Sequence, residues 1–332
     1  MGLGAATTPE HVPVLLQEVL EFLPVPPGGR VLDLTLGLGG HAQAILARCD
    51  AGTRYLGVDR DPQARERAWA RLGADARLTI LPGTYEDVWD TRPFQDWMRL
   101  QAPQGLDVVL MDLGVSTLQL KDPDRGFSFQ ADGPLDMRMD PESGLSAAEW
   151  LALQTEATLA DALFAFGEER ASRPIARAIL RSRDAGTLRT TLDLATAVYT
   201  VLPREAARRR QQIDPATRTF QAIRIAVNGE LSRLARTLTA AVQSLKPGGR
   251  LGAISFHSLE DRIVKQTLRR LAGRYDGPGR AAPEPLPSVI RLLHPGGLKA
   301  SEAEARTHPP SRSARLRIGE RLSALPLPRT TP

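Results

Sequence analysis

Several residues in this chain combine types and spacings that could hold a nucleoside and act beside it. Gly37, Gly39, Gly40 and His41 form a glycine-rich turn between an apolar run at 31–34 and a helix-like stretch at 42–46. Glycine suits a backbone that must bend at positive φ or approach a ligand without a Cβ, and a helix start aims unpaired N–H groups at polar ligand atoms. Asp59 closes a second apolar run, about 20 residues after Gly39, where a carboxylate can accept from both hydroxyls of a ribose. Asp112 and His257 follow two further apolar runs, and either could take a proton or a hydrogen bond from a substrate. The glycine turn and Asp59 imply a nucleoside cofactor without saying which. Gly37, Gly39 and Ala42 also satisfy the dinucleotide pattern Gly-x-Gly-x-x-Ala, so an NAD(P)-dependent dehydrogenase fits these residues as well.

The elements that must position these residues follow from hydrophobic patterning. After a helix at about 14–22, strand-like apolar runs recur at 31–34, 55–58, 78–81 and 108–111, with helical stretches between them. That alternation predicts βαβ units and a parallel α/β sheet. A fifth strand is displaced far downstream, where residues 245–256 read as helix end, Pro247-Gly248-Gly249 turn and strand. The intervening segment predicts a small helical subdomain at 118–214, with helices near 147–153, 158–166 and 174–181. The sheet domain then comprises 1–117 and 215–332. Residues 276–287 are rich in Pro and Gly and predict an exposed loop, and Ser301-Glu302-Ala303-Glu304 has capping-box spacing. Ala314, Leu316 and Ile318 alternate with Arg315 and Arg317, which predicts a half-buried strand with outward arginines. In such a sheet, ligands bind beyond the carboxyl ends of the strands. Gly39, Asp59, Asp112 and His257 should therefore converge there. An aspartate after a strand is commonly only a helix cap, but four such positions at successive strand ends are harder to explain that way.

The chain has 332 residues, enough for a sizeable core, and a net charge of +5. Four lysines among 43 basic residues leave 39 arginines (43 − 4). Arginine binds phosphate bidentately and stacks on bases, so the bias suits an RNA partner, although GC-rich codon usage explains it equally. The single cysteine, Cys49, excludes an internal disulfide and a multi-cysteine zinc site. No apolar run approaches a membrane span, and the N-terminus lacks a signal-like core. A soluble cytoplasmic protein is expected, with no membrane partner.

The Pro247-Gly248-Gly249 turn is typical of Rossmann-like methyltransferases that use S-adenosylmethionine (SAM), and a dehydrogenase does not need it. Longer phrases sharpen the resemblance: Asp112-Leu113-Gly114-Val115-Ser116, Arg125-Gly126-Phe127-Ser128-Phe129, residues 132–140, residues 217–225 and residues 254–262. In order, and from near residue 11 to near residue 321, the chain resembles the bacterial RsmH/MraW family. The resemblance implies a class I SAM-dependent fold with an inserted helical subdomain. It also implies N4-methylation of a cytidine in the decoding region of 16S rRNA, within the small ribosomal subunit. The family's SAM contacts carry over to Gly39, Gly40, His41, Asp59, Asp112 and Gln119. Tyr85 stands where the family usually has Phe and can stack on adenine in the same way. Ser116-Thr117-Leu118-Gln119 departs from the family's common Ser-Ser-Pro-Gln, and Leu36 and Leu38 replace residues that are more often aromatic and polar.

Asp112 is the catalytic candidate, because a carboxylate accepting an amine N–H localises the nitrogen lone pair. It lacks the Pro-Pro-aromatic sequel of many DNA amino-methyltransferases, so service to SAM alone is the competing role. His257 could bind the base or a phosphate, against the commoner reading of a structural histidine. Asp132, Asp136 and Asp140 could approach a metal, but Arg138 between them makes an ion-paired loop the better reading. Arg218, Gln221, Arg224 and Asn228 share helical spacing beside an apolar stripe and are expected to bind RNA. Arg170, Arg173, Arg177 and Arg181 form a second basic stripe, which a solvated helix face would explain as well. Besides the dehydrogenase, the alternative to an enzyme is a non-catalytic assembly factor that retains SAM as a structural ligand.

Overall fold

Each apolar run becomes a strand of one sheet in this computed structural model, which describes residues 13–209, 213–274 and 287–322. The strands are β1 (Arg30–Asp33), β2 (Arg54–Asp59), β3 (Leu78–Pro82), β4 (Leu106–Asp112), β5 (Leu245–Ser255), β6 (Ile290–Lys299) and β7 (Arg315–Arg321). Their order is β3-β2-β1-β4-β5-β7-β6. The five strands from β3 to β5 pair in parallel, while β7 runs antiparallel to β5 and β6 antiparallel to β7. Helices Gly40–Leu46, Pro62–Leu72 and Arg92–Gln101 make the crossovers between β1, β2, β3 and β4. The strand order reverses between β1 and β4, which places Asp33 and Asp112 at the switch point where such sheets bind ligands.

Burial explains why these runs are continuous rather than alternating. Val31, Leu32, Leu56, Val58, Val109 and Leu110 are all fully buried, as strands covered on both faces require. The Pro247-Gly248-Gly249 turn is absorbed as an irregularity in the pairing of β5 with β4. Leu245 pairs with Leu106, and pairing resumes at Arg250 opposite Val108. A Cβ on Gly249 would lie 2.7 Å from the Leu106 carbonyl oxygen, so this bulge needs glycine.

Two features of the C-terminal part differ from expectation. Strand β6 was not anticipated; Pro295, Gly296 and Gly297 interrupt its pattern, and its pairing with β7 shifts register between Leu293 and Leu298. Nor do the arginines of β7 all face outward. Arg317 is buried, and its guanidinium forks onto Asp261 at 2.7 and 3.0 Å. Asp261 belongs to helix Ser258–Leu271, which covers that face and turns an apparent surface charge into an internal pair. Apart from Pro287, the Pro/Gly-rich stretch at 276–287 lies outside the described residues. The Ser301 cap holds, its Oγ accepting from Glu304 N at 3.1 Å to start helix Glu302–Thr307.

The chain divides into two units, the sheet unit up to Gly114 and from Arg233 onward, and a second unit, Val115–Ser232. The second unit is helical, with Glu156–Gly167, Ser172–Asp184, Thr191–Tyr199 and Ala216–Asn228 as its longer helices. Its core includes Leu159, Leu163, Ile175, Ile179, Phe220 and Ile223. Helix Ala216–Asn228 therefore belongs with the insert and not with the second part of the sheet domain, because its apolar stripe is buried in the insert's core. No described helix is long and apolar enough to cross a membrane.

Candidate active site

The glycine turn leaves β1 through a set of backbone bonds that fix its path. Leu34 N–H donates to the Leu110 carbonyl, Leu36 N–H to Val58, and Gly39 N–H to Leu36. Gly39, at φ +75°, is the N-cap of helix Gly40–Leu46, and a Cβ there would also lie 2.9 Å from Leu72 Cδ1. Both the left-handed backbone and the close approach thus select glycine.

Asp59 does more than end β2. Its Oδ2 accepts from Gly37 N at 2.7 Å and its Oδ1 from Asp61 N at 2.9 Å, so the carboxylate itself ties the glycine turn to the next helix. Each oxygen keeps a further lone pair for a hydroxyl donor. Burial pushes the Asp59 carboxyl up, and the Gly37 and Asp61 amides oppose that shift. A diol donating to it would favour the ionised form further. Tyr85 follows β3 with a half-buried ring, its segment held by Trp89 Nε1 and Thr237 Oγ1 donating to its carbonyl.

Asp112 ends β4, and its backbone N–H donates to Thr35 Oγ1 at 2.5 Å. Its Oδ2 lies 3.6 Å from His41 Nε2, while its Oδ1 is buried with no hydrogen-bond partner. Beside it is Asp33, a residue to which the sequence pattern attached no role. Asp33 is fully buried and accepts from Thr35 N at 3.0 Å and from the Tyr55 hydroxyl at 2.9 Å. Its carboxyl is pushed up to about 6, chiefly by burial, with the nearby Asp112 adding to the rise and Thr35, His41 and Tyr55 opposing it.

That shift has a consequence for stability. The folded chain keeps the Asp33 proton over a pH range where the unfolded chain has lost it, so the wild type loses stability as pH rises from about 4 to about 6. A rise from 3.8 to about 6, at about 1.4 kcal/mol per pH unit, amounts to about 3 kcal/mol. Thermal melts without cofactor should therefore show Asp33→Asn gaining on the wild type across that window and holding the gain above it. An equal difference at pH 4 and pH 7.5 would refute the shift.

His257 is the N-cap of helix Ser258–Leu271 in a reciprocal capping arrangement. Its Nδ1 accepts from Glu260 N at 3.5 Å and its Nε2 lies 3.1 Å from Glu260 Oε1, while Glu260 Oε2 accepts from Phe256 N at 2.9 Å. Both ring nitrogens face Glu260, so the structure gives His257 the work of a helix cap. Gln119 also makes a cap. It lies in the second unit, where its Oε1 accepts from Ser116 N at 3.0 Å in a capping box that starts helix Thr117–Lys121. Both spacings, Ser-x-x-Gln and His-x-x-Glu, are visible as cap signals in the sequence.

Three of the four residues expected to meet RNA are held inside the second unit. Arg224 forks onto Glu230 with two bonds of 2.8 Å and is 14% exposed, its partner 5%. Gln221 Nε2 donates to the Phe166 carbonyl at 2.9 Å. Asn228 accepts from Met139 N and donates to the Met137 carbonyl, both at 2.8 Å, clamping the segment at 132–140. In that segment Arg138 forks onto Asp136, as an ion-paired loop requires. The helix flank meets neighbouring backbone where contact with RNA was expected. Arg218 alone of the four is exposed. Arg173, Arg177 and Arg181 line an exposed face of helix Ser172–Asp184, preceded by exposed Arg170.

The comparisons with known proteins agree with this architecture. A family model described as the MraW methylase family matches residues 8–322. The chain belongs to the MraW methylase family. It is accordingly a SAM-dependent methyltransferase of the α/β class, and the dehydrogenase reading is set aside. Among relatives of this MraW methylase is a ribosomal RNA small subunit methyltransferase H from Xanthomonas campestris pv. campestris (strain 8004). It is 47% identical over 313 residues, covering 94% of this chain and 87% of the relative. A protein of the same name from Stenotrophomonas maltophilia (strain K279a) is 46% identical over 317 residues, 95% of this chain and 94% of that one.

Proposed function

We propose that this MraW methylase transfers a methyl group to the exocyclic N4 amine of a cytidine in the decoding region of 16S rRNA, within the small ribosomal subunit. The observation that carries the reading is the buried, unpartnered Oδ1 of Asp112 at the switch point of the sheet. The relatives' names support rRNA of the small subunit as the substrate.

The residues present fit SAM. Gly39, Gly40 and His41 would hold SAM from the turn, Asp59 has lone pairs left for the ribose hydroxyls, and the half-buried Tyr85 ring would stack on adenine. When bound, SAM supplies an electrophilic methyl on a sulfonium. The chain's own task is to make a poor nucleophile react. The cytosine amine delocalises its lone pair into the ring, and Asp112 Oδ1, accepting an N–H, localises that pair and receives the proton. Holding amine and methyl in line at about 3–3.5 Å supplies much of the remaining acceleration.

RNA phosphate is assigned to the exposed arginines, Arg173, Arg177 and Arg181 with Arg170 and Arg218. Arg177 is paired with Glu156 at 3.1 Å, but both side chains are about half exposed and such a pair is easily exchanged for phosphate. Methyl transfer from labelled SAM to small ribosomal subunits, followed by nucleoside mass spectrometry, tests the whole reading. N4-methylcytidine at one position is the expected product. Label in another nucleoside overturns the N4 assignment, and SAM binding without transfer would leave a non-catalytic assembly factor.

A further inference from the structure

His41 occupies the second position of helix Gly40–Leu46, in the glycine turn, and its side chain has an environment that a backbone contact to cofactor does not explain. The ring is 6% exposed, and neither Nδ1 nor Nε2 has a hydrogen-bond partner. Nε2 lies 3.6 Å from Asp112 Oδ2. An imidazole buried without partners is costly, since a polar group taken from water and left unpaired forfeits its hydration. The cost is understandable if the ring is matched to a group that changes its charge or partners during the reaction.

The surroundings of the ring identify that group. Asp33 faces it from β1, Asp112 from β4, and the Tyr55 hydroxyl from β2 donates to Asp33 Oδ2 at 2.9 Å. Thr35 ties the Asp33 carboxylate to the backbone of Asp112, donating from Oγ1 to Asp33 Oδ1 at 3.5 Å and accepting from Asp112 N at 2.5 Å. Two carboxylates thus share one imidazole, and of their four oxygens only Asp112 Oδ1 is buried without a partner.

We propose that His41 is a positioning residue for methyl transfer: its imidazole fixes the Asp112 carboxyl group from the Oδ2 side, so that Oδ1 is presented to the substrate amine. The proposal rests on the reading of Asp112 given above. In the step it serves, the amine lone pair forms the N–C bond, the S–C bonding pair returns to sulfur, and the amine proton passes to Asp112 Oδ1. His41 neither gives nor receives an atom. Removing the ring leaves the Asp33 and Asp112 carboxyl groups with nothing between them, and like charges brought together disfavour ionisation. The burial-raised Asp33 carboxyl is consistent with two carboxylates that already compete for one partner.

Single-turnover methyl transfer as a function of pH, at saturating SAM, tests this with His41→Leu and His41→Gln beside the wild type. The Leu variant should lose at least about tenfold in the plateau rate, with the acid limb of the profile moved up by on the order of one pH unit. The SAM dissociation constant, measured separately by calorimetry, should change by a smaller factor than the plateau rate. In the Gln variant the side-chain amide can still donate to Asp112, so part of the plateau rate should return, while the acid limb stays raised. If both variants keep the wild-type acid limb, or if their rate loss is matched by an equal loss of SAM affinity, the positioning role is overturned. Should the Leu variant fail to fold, the acid limb of the Gln variant decides alone. Asp112→Asn separates the two layers. Undiminished transfer in that variant removes the reading of Asp112 and this inference with it, whereas slow transfer there with wild-type behaviour at His41 removes only the inference.

Discussion

Asp112→Asn is expected to slow single-turnover methyl transfer by about 10²-fold or more at saturating SAM, within the usual range for a positioned proton acceptor. The substitution is nearly isosteric, and the backbone around it is held independently of the side chain. Asp112 N–H donates to Thr35 Oγ1, and Leu113 N–H donates to the Ile254 carbonyl at 3.0 Å. The strand end should therefore stay in place. What changes is the charge on the oxygen that faces the amine, together with the chance that an amide NH₂ turns toward it as a donor. Neither effect is cured by more cofactor. A variant whose full loss is recovered by raising SAM would assign Asp112 to cofactor binding alone, and the amine would need another acceptor.

The scaffold of this site was legible in the sequence because its determinants are local. A strand buried on both faces must read as an apolar run, a left-handed turn must be glycine at Gly39, and the residue after the run must stand at the sheet's carboxyl end. The positions of Asp59 and Asp112 follow from nothing else. Asp33 escaped notice for a physical reason: it is the last residue of a buried strand, and only three-dimensional contact with Thr35, His41 and Tyr55 distinguishes it from any strand-ending aspartate. The caps made by His257 and Gln119 were legible from local spacing, in residues that also invite a chemical role. The arginine helix failed differently. Spacing says that Arg218, Gln221, Arg224 and Asn228 share a flank. It cannot say whether that flank meets solvent or the backbone of Phe166, Met137 and Met139.

Arg224 shows the consequence of that difference most sharply. As an RNA contact, its loss would weaken binding and flatten the salt dependence by about 0.7–0.9 while sparing the fold. As observed, it is the cation of a pair in which Glu230 is buried, Arg224 is only 14% exposed and both guanidinium bonds measure 2.8 Å. Breaking such a pair by removing one partner strands a buried charge and costs about 3–5 kcal/mol. Arg224→Ala should therefore lower the thermal midpoint by several degrees, with chemical denaturation giving a loss in that range. Arg224→Lys should recover only part of it, because an ammonium cannot reproduce the planar fork. Replacing both residues together, Arg224→Met with Glu230→Leu, should restore most of the stability, since no charge is then left buried. If Arg224→Ala melts like the wild type yet binds RNA with a reduced salt slope, the pair with Glu230 is expendable and the arginine serves the nucleic acid after all.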